Sequence, residues 1–334
     1  MTPSQLIADL PRLITLKRSL MIWGDPGIGK STIIRQFTEA AGIGFIDLRL
    51  NLYDPTELKG YPIKYGPAGK ERMRFAPSGR LPTSGQGIIL CDELPSAPPA
   101  TQNAAYPLVL DRRLDEYELP DGWAVIGAGN YAHNGGVHYP LAPALADRFI
   151  HLNLEISHDD WDAWAAANGV SGVTRAFIRF RPALLHDVKL RQNGQAFPTP
   201  RSWKIADEIY REQWPTDRAL EYISGKVSKG PAHEFVAFAS VAENLPTAQE
   251  IEYAPEVAPV PSDPGAKYAV VTMLESSVTP KNMGAFATYI KRVDLEFQAA
   301  FMTGVARLGQ TKRELLTTKA FIDWSVANKN TLLA

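Results

Sequence analysis

Residues Gly24-Asp25-Pro26-Gly27-Ile28-Gly29-Lys30-Ser31-Thr32 satisfy the spacing G-x-x-x-x-G-K-[ST]. Glycines at these places let the backbone curl so that its N–H groups point at phosphate oxygens, and the helix entered at Lys30 adds the positive end of its dipole. The motif predicts that Lys30 reaches the β- and γ-phosphates of a nucleotide and that the Ser31 hydroxyl binds magnesium. A second cluster follows in Gly87-Ile88-Ile89-Leu90-Cys91-Asp92-Glu93, an apolar run ending in two carboxylates. In phosphate-loop ATPases the first acid completes the magnesium shell, here Asp92 through water, and the second, Glu93, positions and deprotonates the attacking water. A third run, Trp123 to Gly129, ends at Asn130, a residue type able to orient that water. Taken alone, a strand-end Asn is more often a turn residue, and its functional weight comes from the order of the motifs.

These groups require strands that converge on one edge. Ser19 to Trp23, Phe45 to Leu50, Gly87 to Glu93, Trp123 to Asn130 and Ile150 to Leu154 read as strands. A helix carrying Ile33, Ile34 and Phe37 separates the first two, so the fold expected is an α/β phosphate-loop NTPase with a parallel sheet. Leu6, Ile7, Leu10, Leu13 and Ile14 lie at helical spacing before the first strand, in a helix that Pro11 is expected to break. From Asn51 to Gln86 the pattern is irregular, which predicts a small hairpin or flap with Met73-Arg74-Phe75 as one strand. Tyr61 and Phe75 there are candidates either for gripping a substrate or for packing within the flap.

We divide the chain into an α/β core over 1–155 with the insert at 51–86, a helical lid over 156–243, a proline-rich linker over 244–265 and a helical module over 266–334. The linker reading rests on Pro246, Pro255, Pro259, Pro261 and Pro264. Lysine and arginine number 35 against 36 aspartates and glutamates, so no overall charge points to nucleic acid or an anionic membrane. No apolar run approaches the ~18 residues of a membrane span. The single cysteine, Cys91, excludes an intrachain disulfide, and a reducing, cytoplasmic setting is expected. His133 and His138, five apart in a glycine-containing loop, are weak evidence for a metal.

The order of these motifs resembles the AAA+ ATPases, and within them the MoxR family. Glu93-Leu94-Pro95-Ser96-Ala97-Pro98-Pro99-Ala100-Thr101-Gln102 is similar to the family's stretch after its second acid, and Gly127-Ala128-Gly129-Asn130 to its sensor-1 strand. Ala144-Leu145-Ala146-Asp147-Arg148-Phe149 resembles its arginine-finger segment and Phe197-Pro198-Thr199-Pro200-Arg201-Ser202 its sensor-2 segment. The insert falls where one branch carries an insertion in its second helix. The resemblance covers roughly residues 1–215.

It implies ATP and Mg2+ as cofactors, with Arg201 reaching the γ-phosphate from its own subunit and Arg148 pointing into a neighbour's site. A homo-oligomeric, hexameric ring would couple ATP hydrolysis to remodelling, activation or assembly of a partner protein carrying a von Willebrand factor A domain. Each arginine also has a plainer reading, Arg148 as a salt bridge to Asp147 and Arg201 as a helix-start arginine with a structural partner. The rival function is a nucleic-acid motor, involved in DNA translocation or restriction and using ATP or GTP, for which Lys64, Lys70, Arg72, Arg74 and Arg80 give the insert a local positive balance.

Overall fold

The computed structural model describes residues 1–191, 195–309 and 312–328. Gly194, the expected start of a turn-rich stretch, and the last residues of the expected C-terminal module lie outside them. The chain folds as two compact units, Met1–Ser157 and a second beginning at His158.

The first unit opens with α1 (Pro3–Thr15), β1 (Ser19–Trp23), α2 (Lys30–Ala41) and β2 (Gly44–Arg49). Contrary to expectation, Pro11 does not break α1. The helix is initiated by Thr2 and Gln5, which cap each other's backbone N–H groups, and continues through Pro11 to Thr15. The insert holds α3 (Pro55–Lys59) and the antiparallel pair β3 (Tyr61–Tyr65) and β4 (Arg72–Ala76). After it come β5 (Gln86–Asp92), α4 (Pro99–Asp111), the short pair β6 (Arg113–Leu114) and β7 (Tyr117–Glu118), β8 (Gly122–Gly129), α5 (Pro143–Ala146) and β9 (Phe149–Asn153).

Five strands form one parallel sheet in the order β2-β5-β8-β1-β9. Both faces are covered, which is why its central strands are apolar throughout rather than alternating. Successive residues serve opposite cores: Ile89, Cys91 and Val125 pack with Leu108 and Val109 of α4, whereas Ile88, Leu90 and Ile126 pack with Leu6 and Leu10 of α1 and Ile34 of α2. This double burial fixes the register, because a slip by one residue would exchange the two faces.

The second unit is helical: α6 (His158–Ala167), α7 (Gly172–Phe180), α8 (Pro200–Arg211), α9 (Thr216–Val227), α10 (Lys229–Ala242), α11 (Ala248–Tyr253), α12 (Pro264–Ser277), α13 (Met283–Ile290), α14 (Leu295–Gly309) and α15 (Lys319–Ala327). The stretch 244–265, expected to be a semi-extended linker, contains α11. Thr247 and Glu250 form a capping box there, and Ile251 is fully buried. The prolines flank this helix instead of interrupting it. Their carbonyls are used as well, since Pro255 accepts from the Arg292 guanidinium at 2.8 Å and Pro259 from the Tyr289 hydroxyl at 2.7 Å.

The expected division between lid and C-terminal module is also not what packing produces. Asp162 of α6, Arg175 and Arg179 of α7 and Glu275 of α12 form a buried ionic cluster. Arg175 makes a two-pronged contact to Asp162 at 2.9 and 3.1 Å, and Arg179 donates to Asp162 and Glu275 at 2.6 Å each. The charges leave water together, so each is compensated inside. Gly304 of α14 makes room for the cluster, because a Cβ there would come within 2.6 Å of both Glu275 carboxylate oxygens.

Burial alone would raise the Asp162 pKa. Hydrogen bonds and charge from Arg175 and Arg179 outweigh it and hold this carboxyl below the usual range. Its contribution to stability is therefore complete above the unfolded-state pKa of about 3.9 and is lost as pH falls through the lower folded value. Asp162→Asn leaves two buried arginines sharing the one charge of Glu275 and is expected to cost about 3–5 kcal/mol in urea unfolding at pH 7, with the difference from wild type shrinking in strong acid.

Candidate functional site

The phosphate-loop residues lie between the end of β1 and the start of α2, at the carboxyl edge of the parallel sheet. Gly27 and Gly29 take φ of 81° and 98°, the left-handed region that a side chain disfavours. Gly29 caps α2 with no side-chain hydrogen bond, and no acid occupies the first turn. A helix N-terminus presented in this way suits an anion.

Lys30 is only 8% exposed. Its ammonium donates to the carbonyls of Gly24 at 2.8 Å and Asp25 at 3.0 Å and to Asn130 Oδ1 at 2.8 Å. These three acceptors are two backbone carbonyls and a side-chain amide oxygen. Asn130, the residue expected to orient the water beside Glu93, is held by Lys30 in this structure. The cause is adjacency: β8 pairs directly with β1, which sets the tip of β8 over the loop.

The Ser31 hydroxyl donates to Asp92 Oδ2 at 2.5 Å. Two oxygen groups from different elements therefore converge, the donor set a magnesium ion takes, its remaining positions being filled by water and phosphate. Among the described residues no group of three or more His, Cys, Asp or Glu side chains could hold a metal. His133 stacks on Tyr131, their ring centres 5.3 Å apart.

Glu93 is exposed, with its backbone in the left-handed region at φ 53° and its N–H donating to Asp92 Oδ1 at 3.0 Å. Asn51, just beyond β2, donates from Nδ2 to Glu93 Oε2 at 3.1 Å. Sequence reasoning missed Asn51. The only signal was its place immediately after a strand that proves to lie beside β5. Asp25 accepts from Asn134 Nδ2 at 2.9 Å, a second contact from the loop after β8 to the phosphate loop.

Arg148 is exposed and pairs with Asp147 at 2.5 Å. Arg201 is exposed at the start of α8, which begins at Pro200 after the Thr199 cap, and it belongs to the second unit. Ile28 is buried against Leu154, and Thr32 is exposed on α2.

Cys91 precedes the two acids and is fully buried. Burial, with the charges of Asp92 and Asp47 beside it, pushes its thiol up to about 12. Thiol reagents attack the thiolate, so Cys91 is expected to stay unlabelled by Ellman's reagent at pH 8 in native protein and to react stoichiometrically in denaturant. Labelling of the native form at the denatured rate would contradict this burial.

No family model matches the chain. Over 168 residues, 48% of its length, the chain is 26% identical to Midasin from Giardia intestinalis, and this match spans about 3% of that much longer protein. Among solved structures it is similar to NtrX from Brucella abortus in complex with ATP, at 14% identity over 98% of this chain and 67% of that one, with a TM-score of 0.37. A variant of RuvB from Thermotoga maritima is 12% identical over 90% of this chain and 81% of that one, with a TM-score of 0.36. TM-scores below 0.5 do not establish a fold, and the strand order and loop geometry carry it instead. The chain has the α/β fold of a phosphate-loop NTPase, a five-stranded parallel sheet with flanking helices, followed by a helical C-terminal part.

Proposed function

We propose that this chain is a magnesium-dependent AAA+ ATPase of MoxR type. It works as a homo-oligomeric, hexameric ring in the cytoplasm and couples hydrolysis to remodelling, activation or assembly of a protein partner carrying a von Willebrand factor A domain. The observation that carries the reading is the convergence on one sheet edge of Lys30 with Asn130, Ser31 with Asp92, and Glu93 with Asn51.

In this reading the α2 N-terminus and the loop amides bind the phosphates, and Lys30 turns from its neutral acceptors to the β- and γ-oxygens. Ser31 and Asp92 would hold magnesium, Asp92 through water, and the bound ion would supply charge neutralisation at the phosphates. Glu93 orients and deprotonates the attacking water, and Asn51 restrains Glu93 in the resting arrangement. Arg201 acts from its own subunit. Arg148 exchanges Asp147 for a neighbour's γ-phosphate, where an arginine can be worth ~10³-fold or more in rate.

A second reading, a nucleic-acid motor, is favoured by one surface. Tyr61, Ile63 and Tyr65 alternate along β3 on the same face as Arg72 and Arg74 of β4, and Arg74 lies over the Tyr65 ring at 5.4 Å. Exposed rings interleaved with arginines suit stacked bases and phosphates. On this reading, DNA would stimulate turnover with a steep salt dependence that Arg72→Glu with Arg74→Glu abolishes.

Glu93→Gln is expected to bind ATP with turnover reduced on the order of 10²-fold or more, Lys30→Ala to lose nucleotide binding, and omission of magnesium to stop hydrolysis. Asn51→Ala should raise basal turnover at unchanged nucleotide affinity, read by steady-state phosphate release and fluorescent-ATP titration. Capture with Glu93→Gln against Lys30→Ala then tests the role. A von Willebrand factor A protein retained only by the ATP-locked form supports remodelling, whereas nuclease-sensitive nucleic acid without such a protein overturns it.

A further inference from the structure

Trp23, the last residue of β1, donates from Nε1 to His151 Nδ1 at 2.8 Å. His151 lies in β9, and its Nε2 is 2.9 Å from the carbonyl oxygen of Ala146, the last residue of α5. An indole nitrogen can only donate, so His151 Nδ1 must be an acceptor and the proton of the neutral ring must sit on Nε2. The ring therefore donates to Ala146, satisfying a helix-end carbonyl that has no partner within its own short helix.

The neighbouring aromatic rings confine the same ring. His151 and Trp23 lie side by side in nearly one plane, at 10°, as their hydrogen bond requires, while Trp23 stacks with Tyr131 at 6.3 Å and 14° and Phe149 meets His151 edge-on at 6.3 Å. Trp23 is followed by Gly24 of the phosphate loop, Tyr131 follows Asn130, and Ala146 is followed by Asp147 and Arg148. One imidazole thus joins the strand that delivers the loop to the helix end that delivers Arg148, both within the first unit.

We propose that His151 is a positioning residue for Arg148: clamped to Trp23, it fixes the end of α5 and hence the direction in which Arg148 leaves the subunit. This rests on the reading of Arg148 as an arginine that serves a neighbour's site. His151 itself touches no reacting group. Its loss impairs the neighbouring subunit's hydrolysis while leaving its own subunit's site intact.

Mixed-subunit turnover tests this. Glu93→Gln has a dead site and a sound Arg148, whereas Arg148→Ala has a sound site and lacks the arginine, so mixing the two is expected to restore activity neither has alone. His151→Phe keeps an aromatic ring but removes both hydrogen bonds, and should lower kcat on the order of 10²-fold, the scale of a small misplacement, with ATP affinity unchanged. Mixed with Glu93→Gln it should recover activity, and mixed with Arg148→Ala it should not. The opposite pattern, or wild-type turnover of His151→Phe, overturns the proposal. Should His151→Phe fail to fold, Trp23→Phe removes the indole donor while keeping an aromatic ring, and carries the same test. Failure of the reference mixture removes the neighbour-serving role of Arg148 and the proposal with it, a result distinct from failure of the His151 mixtures alone.

Discussion

A buried ammonium has to be surrounded by oxygen, and Lys30 imposes that requirement on the first unit. Its oxygen partners include the carbonyls of Gly24 and Asp25, just after β1, and Asn130 at the tip of β8. They meet only if β8 lies next to β1, which is the order observed. With β8 so placed, β5 follows as its other neighbour and brings Asp92 to Ser31. The apolar faces hold the sheet together, but the lysine gives the strand order its chemical purpose.

Buried charge is handled in two opposite ways along this chain. In the first unit Lys30 donates to the carbonyls of Gly24 and Asp25 and to the amide oxygen of Asn130. In the second unit Asp162, Arg175, Arg179 and Glu275 neutralise one another, and nothing is left over to bind. An ammonium solvated by carbonyls can turn to phosphate by exchanging one set of oxygens for another, whereas a closed ionic cluster would have to be broken. The contrast separates a site from a fastening.

The sheet was legible because both its faces are buried: runs such as Gly87 to Cys91 carry no polar residue, and glycine-rich or acidic punctuation marks their ends. The residues of the loop and of Asp92 and Glu93 were legible for the same reason, each standing at such an end. Asn51 was not, since its meaning depends on β2 lying beside β5, a pairing that local pattern does not state. The reach of Asn130 to Lys30 likewise depends on strand order. In the second unit, counting prolines between 244 and 265 hid the Thr247-Ala248-Gln249-Glu250 helix start, and no local pattern could reveal that Glu275 answers arginines a hundred residues earlier. Pro11 misled in the opposite direction, because strong capping at Thr2 and apolar packing by Leu6 and Leu10 carry the helix past it.

The ionic cluster of the second unit bears on how this architecture can change over time. Removing α12 would take Glu275 out of the cluster and leave Arg175 and Arg179 sharing Asp162 alone. The helices from α12 onward are therefore not a detachable cassette fused to a finished lid.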